Sequence, residues 1–437
     1  MASNTENFRD KLLRVVGKVS TSRHMIALRD GIAQAVPLII IGSVFMIIGQ
    51  FPIQGYLKFM AHTFGPTWNI VVQQITFASF DLMGLVAAIG IAYNLSKSYK
   101  DIDPLPASLV AMCAFFLTIP FKMHKDGSFW IPLAQLGSTG LFIAIIIGLF
   151  LTDFYIWMVH KHFTIKMPDS VPPAVSNSFA ALFPGFFCLL LVWVVRLATS
   201  FTPVKTIPNL MLFIFKPITA VGTSLGGALV CEFLISFLWL FGVHGANVVG
   251  GVMMAFWLQA MQQNAAAFAA HKALPHIVTQ QFFDNFVHIG GAGATLGLAI
   301  MMVMFAKSDE YKTLGRLEIA PAIFNINEPL IFGFPIVMNI YIALPFIVAP
   351  LLNVLITYFA MASGLVAKTI GIMVPWTTPA IISGYLATGH ASGAILQLIL
   401  IVIDSLVYVF FFKKIDKKKY MEQVKAAQAQ KETAQTK

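Results

Sequence analysis

The sequence predicts an all-α membrane protein of many spans, and three observations carry that prediction. Hydrophobic residues fill 58% of 437 positions, the mean hydropathy is +0.79, and 11% of residues are charged, against roughly 25% in a soluble domain. Apolar windows of about 20 residues recur along the chain, the length a helix needs to cross a bilayer. Two more apolar stretches in the second half are broken by glycine and proline, which predicts two re-entrant hairpins.

The ends come first. Residues 1–30 carry Arg9, Lys11, Arg14, Lys18, Arg23 and Arg29, and the basic tail 413–437 opens with Lys413, Lys414, Lys417, Lys418 and Lys419. Both ends are therefore expected in the cytoplasm, and the span number is even. The net charge of +10 arises from these ends and from short loops, as positive-inside topology requires, so no nucleic-acid partner is expected. No short apolar core with a small-residue cleavage site precedes the first span, so the first helix itself should direct insertion. Val15, Val16 and Val19, beside the basic residues, suggest an amphipathic helix lying on the membrane.

Spans are expected near 31–53, 70–95, 105–121, 138–158 and 177–202, making an N-terminal transmembrane half, 31–202. Lys97 and Lys100 follow the second span and Lys161 and Lys166 the fourth, on the expected cytoplasmic side; Lys122 and Lys125 fall on the opposite side and weaken the fit. The stretch 203–219, with Pro203, Pro208 and Pro217 around Leu210 to Phe215, reads as an interfacial connector. A C-terminal half, 220–412, follows, with spans near 220–243, 246–262, 337–362 and 391–412. The final AAQAQKETAQTK has the composition of a disordered or frayed helical tail.

Between those spans lie the two broken stretches. From Pro275 the chain reads through FFDNFVHIGGAGATLGLAIMMVMFA, where Gly290, Gly291 and Gly293 interrupt an apolar run flanked by Asp284, Asn285 and His288. In IGIMVPWTTPAIISGYLATG, Pro375 and Pro379 flank Trp376, Thr377 and Thr378. Non-helical backbone at membrane depth is tolerated where protein or a water-filled cavity satisfies it, which is how transporters build binding sites.

The densest chemistry lies in FNINEPLIFGFP, Phe324 to Pro335. An ionisable group at the centre of a membrane helix costs about 2.5–3.5 kcal/mol or more unless it faces protein or water, so Glu328 reads as functional. Pro329 and Pro335 keep the stretch from being a plain span. His244 in LFGVHGANVVGG, Asn325, Asn327, Trp239, Trp257 and Trp376 complete a set suited to a sugar, with polar groups for hydroxyls and aromatic faces for the apolar ring surfaces. A histidine and a carboxylate can also share a substrate proton.

Plainer readings stand beside these. Glu328 could cap a helix or pair a lysine, His244 could be a packed core residue, and Asp284 and His288 could lie at the membrane surface. Tryptophan commonly sits in the interfacial belt, and the Gly290–Gly293 run and the Gly222/Gly226 pair could serve helix packing. Glu232, Arg196, Asp81 and Asp404 are assigned to structural pairing. Cys113, Cys188 and Cys231 lie in apolar runs without metal or redox spacing, so no metal site or cofactor is expected.

VHGANV, VHIGGAGATLGL and FNINEPLIFGFP, in this order and spacing, resemble enzyme IIC of the bacterial phosphoenolpyruvate-dependent phosphotransferase system, in its lactose and cellobiose branch, of the cellobiose and diacetylchitobiose permease type. The resemblance runs the length of the chain. It implies about ten transmembrane helices, a homodimer formed through the N-terminal half, and a C-terminal transport half holding the two hairpins. Such proteins sit in the bacterial cell membrane and import a β-linked disaccharide, which is released as its 6-phosphate. Glu328 and His244 match the family's essential pair at the hydroxyl to be phosphorylated, and Asn327 and Trp376 match sugar contacts. Trp239, His288, Asn285, Gly290 and Thr377 complete the expected binding set. With no cysteine in a soluble segment, the phosphocysteine is expected on a separate enzyme IIB, fed by enzyme IIA, HPr and enzyme I. A proton-coupled sugar transporter is the rival; an enzyme acting on a lipid-linked sugar lacks the acidic metal cluster it needs.

Overall fold

The computed structural model describes residues 18, 21–49, 54–165, 179–334, 336 and 339–435. The amphipathic segment around Val15, Val16 and Val19, the basic residues Arg9, Lys11 and Arg14, Lys166, the start of the span at 177, and Pro335 lie outside those residues. The chain divides into two compact units: Met1–Val221 with Gly250–Gln262, and Gly222–Val249 with Gln263–Lys437.

The first unit contains α1 (Arg23–Ala33), α2 (Val36–Gly49), α3 (Gln54–Phe64), α4 (Trp68–Phe77), α5 (Met83–Lys97), α6 (Pro104–Thr118), α7 (Leu141–His160), α8 (Leu182–Ser200) and α9, which runs Ile207–Gly222 through the expected connector. Helix starts follow local chemistry. Ser22 Oγ accepts the Met25 N–H at 3.3 Å, and Asp103 accepts the Leu105 N–H at 3.1 Å while Pro104 opens α6, where a missing N–H costs nothing. α1 and α5 pack closely because Gly31 and Gly90 lack a Cβ, which at either position would collide with backbone of the other helix. Phe80, Phe115 and Phe142 are fully buried, and Phe142 stacks on Phe215 at 4.5 Å between ring centroids. Lys122 belongs to a two-stranded hairpin, β1 (Lys122–Met123) against β2 (Phe129–Trp130), with Lys125 in its turn.

The second unit contains α10 (Leu225–Trp239), the two ends of α11 (Gly245–Ala269), whose middle, Gly250–Gln262, belongs to the first unit, α12 (Gln280–Phe282, passing into a π turn at Phe283–Val287), α13 (Leu296–Phe305), α14 (Asp309–Ile323), α15 (Glu328–Gly333), α16 (Ile340–Ala362), α17 (Ile382–Thr388) and α18 (Ala391–Gln435). Ser224, Thr279, Ser308 and Asn339 cap α10, α12, α14 and α16 through their side-chain oxygens. Both glycine- and proline-broken stretches lie here, as short helices joined by irregular backbone. Residues 413–435 continue α18. Asp416 accepts the Lys307 N–H at 2.8 Å and the Ser308 N–H at 3.0 Å, and Lys419 pairs with Glu310 at 2.8 Å, which ties that end to the start of α14.

Among the described residues six helical runs are long and apolar enough to cross a membrane: Arg23–Met46, Trp68–Lys97, Leu141–His160, Leu182–Ser200, Tyr341–Ala362 and Ala391–Gln428. Counting α9 and α10 as one bent span makes seven. The span expected near 105–121 is the 15-residue α6, and that near 246–262 falls within α11. The chain is an all-α membrane protein.

Candidate functional site

A cavity of about 320 Å³ opens in the second unit, lined by Trp239, His244, Asp284, His288, Asn327 and Glu328, with Trp376, Asn325 and the backbone around Gly291 and Ala292. Its position follows from the broken helices. α12 ends in a π turn, a local widening of the helix often found at functional sites, and His288 closes that turn with its backbone between helical and extended conformations. Gly290, Gly291 and Gly293 then take φ of 78°, 92° and 81°, a left-handed turn open to glycine at little cost. At Gly291 a Cβ would also strike the Asn327 side chain.

Asn325 holds the turns together. Its Oδ1 accepts the Gly290 N–H at 2.7 Å, and its Nδ2 donates to the carbonyls of Trp376 at 2.6 Å and Thr378 at 3.3 Å. One side chain thus joins the glycine turn to the proline-flanked turn. Asn327 reinforces the first, donating to the Ala292 carbonyl at 2.7 Å and to Thr295 Oγ1 at 2.8 Å. These bonds commit the Asn327 amide hydrogens to protein, and its carbonyl oxygen is the group it can offer a ligand.

Glu328 begins α15, directly after Asn327, and its side chain is exposed on the cavity. His244 caps α11: its Nδ1 accepts the Asn247 backbone N–H at 3.2 Å. An imidazole nitrogen that accepts carries no hydrogen, so the neutral ring bears its hydrogen on Nε2 and acts there as a donor. The Trp239 ring lies 4.6 Å from the His244 ring, and its buried Nε1 has no hydrogen-bond partner among the described residues. A ligand acceptor would satisfy that N–H. Trp376 is 53% exposed, its ring available to cover an apolar face.

His288 is fixed from behind. Its Nε2 lies 2.7 Å from Glu232 Oε2, and Ser236 Oγ donates to Glu232 Oε1 at 2.9 Å. Glu232 is 0% exposed, so an aliphatic-looking helix conceals a carboxylate that orients a cavity histidine. Gln280 donates to Asp284 at 2.9 Å.

The model of the family described as phosphotransferase system, EIIC, matches residues 29–350. The chain belongs to the EIIC family. It is 48% identical to the lichenan permease IIC component of Bacillus subtilis (strain 168), over 95% of this chain and 94% of that one. Identity to the cellobiose-specific EIIC component of Geobacillus stearothermophilus is 45%, with the same coverage of both chains. A crystal structure of the transporter ChbC, the IIC component of the N,N'-diacetylchitobiose-specific phosphotransferase system, superposes with a TM-score of 0.90 at 44% identity, covering 94% of this chain and 98% of that one.

Of the residues expected to form the site of this EIIC protein, Glu328, His244, Asn327, Trp376, Trp239 and His288 share the cavity. Asn285, Gly290 and Thr377 are not on its wall. Asn285 is turned inward by the π turn and donates to Gln281 Oε1 at 2.8 Å, while its carbonyl accepts from Gln397 at 2.6 Å. Gly290 is buried and bonded through both backbone groups, to Asn325 and to Thr295, so Gly291 and Ala292 line the cavity in its place. Thr377 follows Trp376 but lies outside the lining. Asp284 and Asn325, noted in the sequence as neighbours of the site, are part of it. The assignment of Glu232, Arg196, Asp81 and Asp404 to structural pairing meets hydrogen-bonded partners at His288, the Leu117 carbonyl, Gln262 and Asn353. Among the described residues no group of three or more His, Cys, Asp or Glu side chains is placed to hold a metal ion.

Proposed function

We propose that this EIIC protein carries a β-linked disaccharide across the bacterial cell membrane and presents its 6-hydroxyl to the phosphocysteine of a separate enzyme IIB. The observation that carries the reading is that Glu328 and His244 line one cavity with Trp239 and Trp376. The cavity lies at the small end of the roughly 300–1,000 Å³ usual for ligand pockets. The cellobiose- and chitobiose-specific relatives support a β-linked disaccharide as cargo.

The roles of the pair follow from the helix cap. With Nδ1 of His244 accepting the Asn247 N–H, its Nε2–H donates to the sugar oxygen and orients it. Glu328 then accepts the hydroxyl proton as that oxygen attacks phosphorus and the P–S bond of phosphocysteine breaks, releasing the thiolate. Trp376 covers a ring face, and the Trp239 N–H and the Asn327 carbonyl bond hydroxyls.

About ten transmembrane helices, two re-entrant hairpins built on the broken stretches, cytoplasmic termini and a homodimer joined through residues 31–202 complete the proposed arrangement. Transport then proceeds by a rigid movement of the C-terminal half, 220–412.

The test uses proteoliposomes supplied with disaccharide and phosphorylated enzyme IIB. Sugar phosphate should form inside only with that donor, and Glu328→Gln should keep sugar binding while losing phosphate transfer by about 10²-fold or more. Free sugar accumulating without donor would instead support proton-coupled transport, and normal phosphorylation by Glu328→Gln would remove Glu328 from the reaction.

A further inference from the structure

Glu318 stands on the buried stripe of α14, formed by Tyr311, Gly315, Glu318 and Ala322, where helical spacing calls for an apolar side chain. It is 0% exposed, and neither carboxylate oxygen has a hydrogen-bond partner of ordinary geometry among the described residues. α14 packs against α15, with Leu314 against Gly333, and the Leu330 backbone N–H in the first turn of α15 favours the charged form of Glu318. That same turn begins with Glu328. A buried, unsatisfied carboxylate is costly, and the cost is relieved when the group is neutral.

We propose that Glu318 is a positioning residue for the reaction, a buried carboxyl group that holds a proton beneath the first turn of α15 and thereby keeps Glu328 as the ionised, proton-accepting member of the pair. This rests on the reading of Glu328 as proton acceptor. Two neighbouring carboxyl groups in unlike environments divide the labour: the more buried one takes the proton, and the one facing the cavity stays charged. Burial, then the charge of Glu328, push Glu318 from 4.5 up to about 7. Among the described residues Glu328 is the group whose charge acts on it: α13 carries no titratable group, α15 carries Glu328, α14 itself carries Lys312 and Arg316, and Asp416, Lys419 and Glu422 of α18 lie toward the start of α14, near Tyr311 and Glu310.

The sign of the pH effect is fixed by that shift. Between pH 4.5 and 7 folded Glu318 keeps a proton that the unfolded chain has released, so its contribution to stability declines as pH rises through this window. Above about pH 7 Glu318 becomes an anion beside Glu328, and the first turn of α15 bears two repelling charges.

The experiment measures phosphotransfer from phosphorylated enzyme IIB against pH for the wild type and Glu318→Gln, with the infrared carboxylic-acid band recorded on the same detergent-solubilised proteins. The wild-type rate should fall as pH rises through the Glu318 midpoint, by up to about tenfold per pH unit, and Glu318→Gln should lose this alkaline limb. The component of the acid band that titrates at the Glu318 midpoint should vanish in Glu318→Gln, and that midpoint should move to lower pH in Glu328→Gln. An unaltered alkaline limb in Glu318→Gln, or survival of that titrating component, overturns the proposal. Should Glu318→Gln fail to fold, the band's midpoint in wild type against Glu328→Gln decides, and an unmoved midpoint overturns it. Normal phosphotransfer by Glu328→Gln refutes the Glu328 role itself, an outcome distinct from an unaltered Glu318→Gln profile in a protein that needs Glu328.

Discussion

In the first unit, buried hydroxyls bond the helical turn on which they stand: Ser96 donates to the Ala92 carbonyl at 2.7 Å, Ser108 to Pro104 at 2.5 Å, and Thr118 to Phe115 at 2.6 Å. In the second unit, buried amides reach far along the chain. Asn264 donates to the Thr369 carbonyl at 2.9 Å, Asn325 to Trp376, Gln397 to Asn285, and Asn353 to Asp404 at 3.1 Å. Thr76 to Gly42, Gln262 to Asp81 and Arg196 to Leu117 are among the long reaches of the first unit. Unbroken helices satisfy their own backbone and need little else. Broken helices strip backbone groups of partners at membrane depth, and amide side chains, which donate and accept at once, replace them. Cavities differ accordingly: one in the first unit, about 200 Å³, is walled by Ile143, Ile147, Phe150, Leu191 and similar residues, whereas the candidate site in the second carries charge.

This contrast can be broken by substitution. The largest effect is expected at Glu232: Glu232→Leu leaves His288 without its buried partner, and loss of one member of such a pair costs about 3–5 kcal/mol. Thermal unfolding in detergent checks it, and a loss below about 1 kcal/mol would mean the pair is not buried in the membrane-embedded protein. Asn325→Ala comes next. It strands the Gly290 N–H and removes a donor from the Trp376 carbonyl, for an expected loss of about 2–3 kcal/mol together with weakened sugar binding by calorimetry. Smallest is Ser96→Ala in the first unit, where the Ala92 carbonyl keeps its helical bond; less than about 1 kcal/mol is expected, and a larger melting shift would show that this unit too relies on its buried polar groups.

Much of the site was legible in the sequence because a carboxylate, prolines and glycines are conspicuous in an apolar chain. Glu328, His244 and Asn327 could be named from their setting alone. That Asn285 and Gly290 lie off the cavity wall was not readable, because a π turn changes the angular phase of the residues it carries, and a segment this short gives periodicity nothing to measure. Asp284 and His288, four residues apart, face the cavity, while Asn285 faces Gln281. Glu232 was visible as a charge, but its partner His288 lies 56 positions away, beyond any local spacing rule. α14 is too charged to resemble a span, and its buried Glu318 gives no sign in one dimension of which face it occupies. The fold class was readable from composition; the anchoring of residues 413–419 was not, because Asp416 and Lys419 find partners about a hundred residues upstream.

The Asn325 side chain has a mechanical consequence. Because it clasps the glycine turn and the proline-flanked turn at once, neither wall of the cavity can slide without rupturing its bonds, whereas displacement of the whole assembly leaves them intact. Cargo bound there travels inside its container, and the grip on it is the same at departure as on arrival.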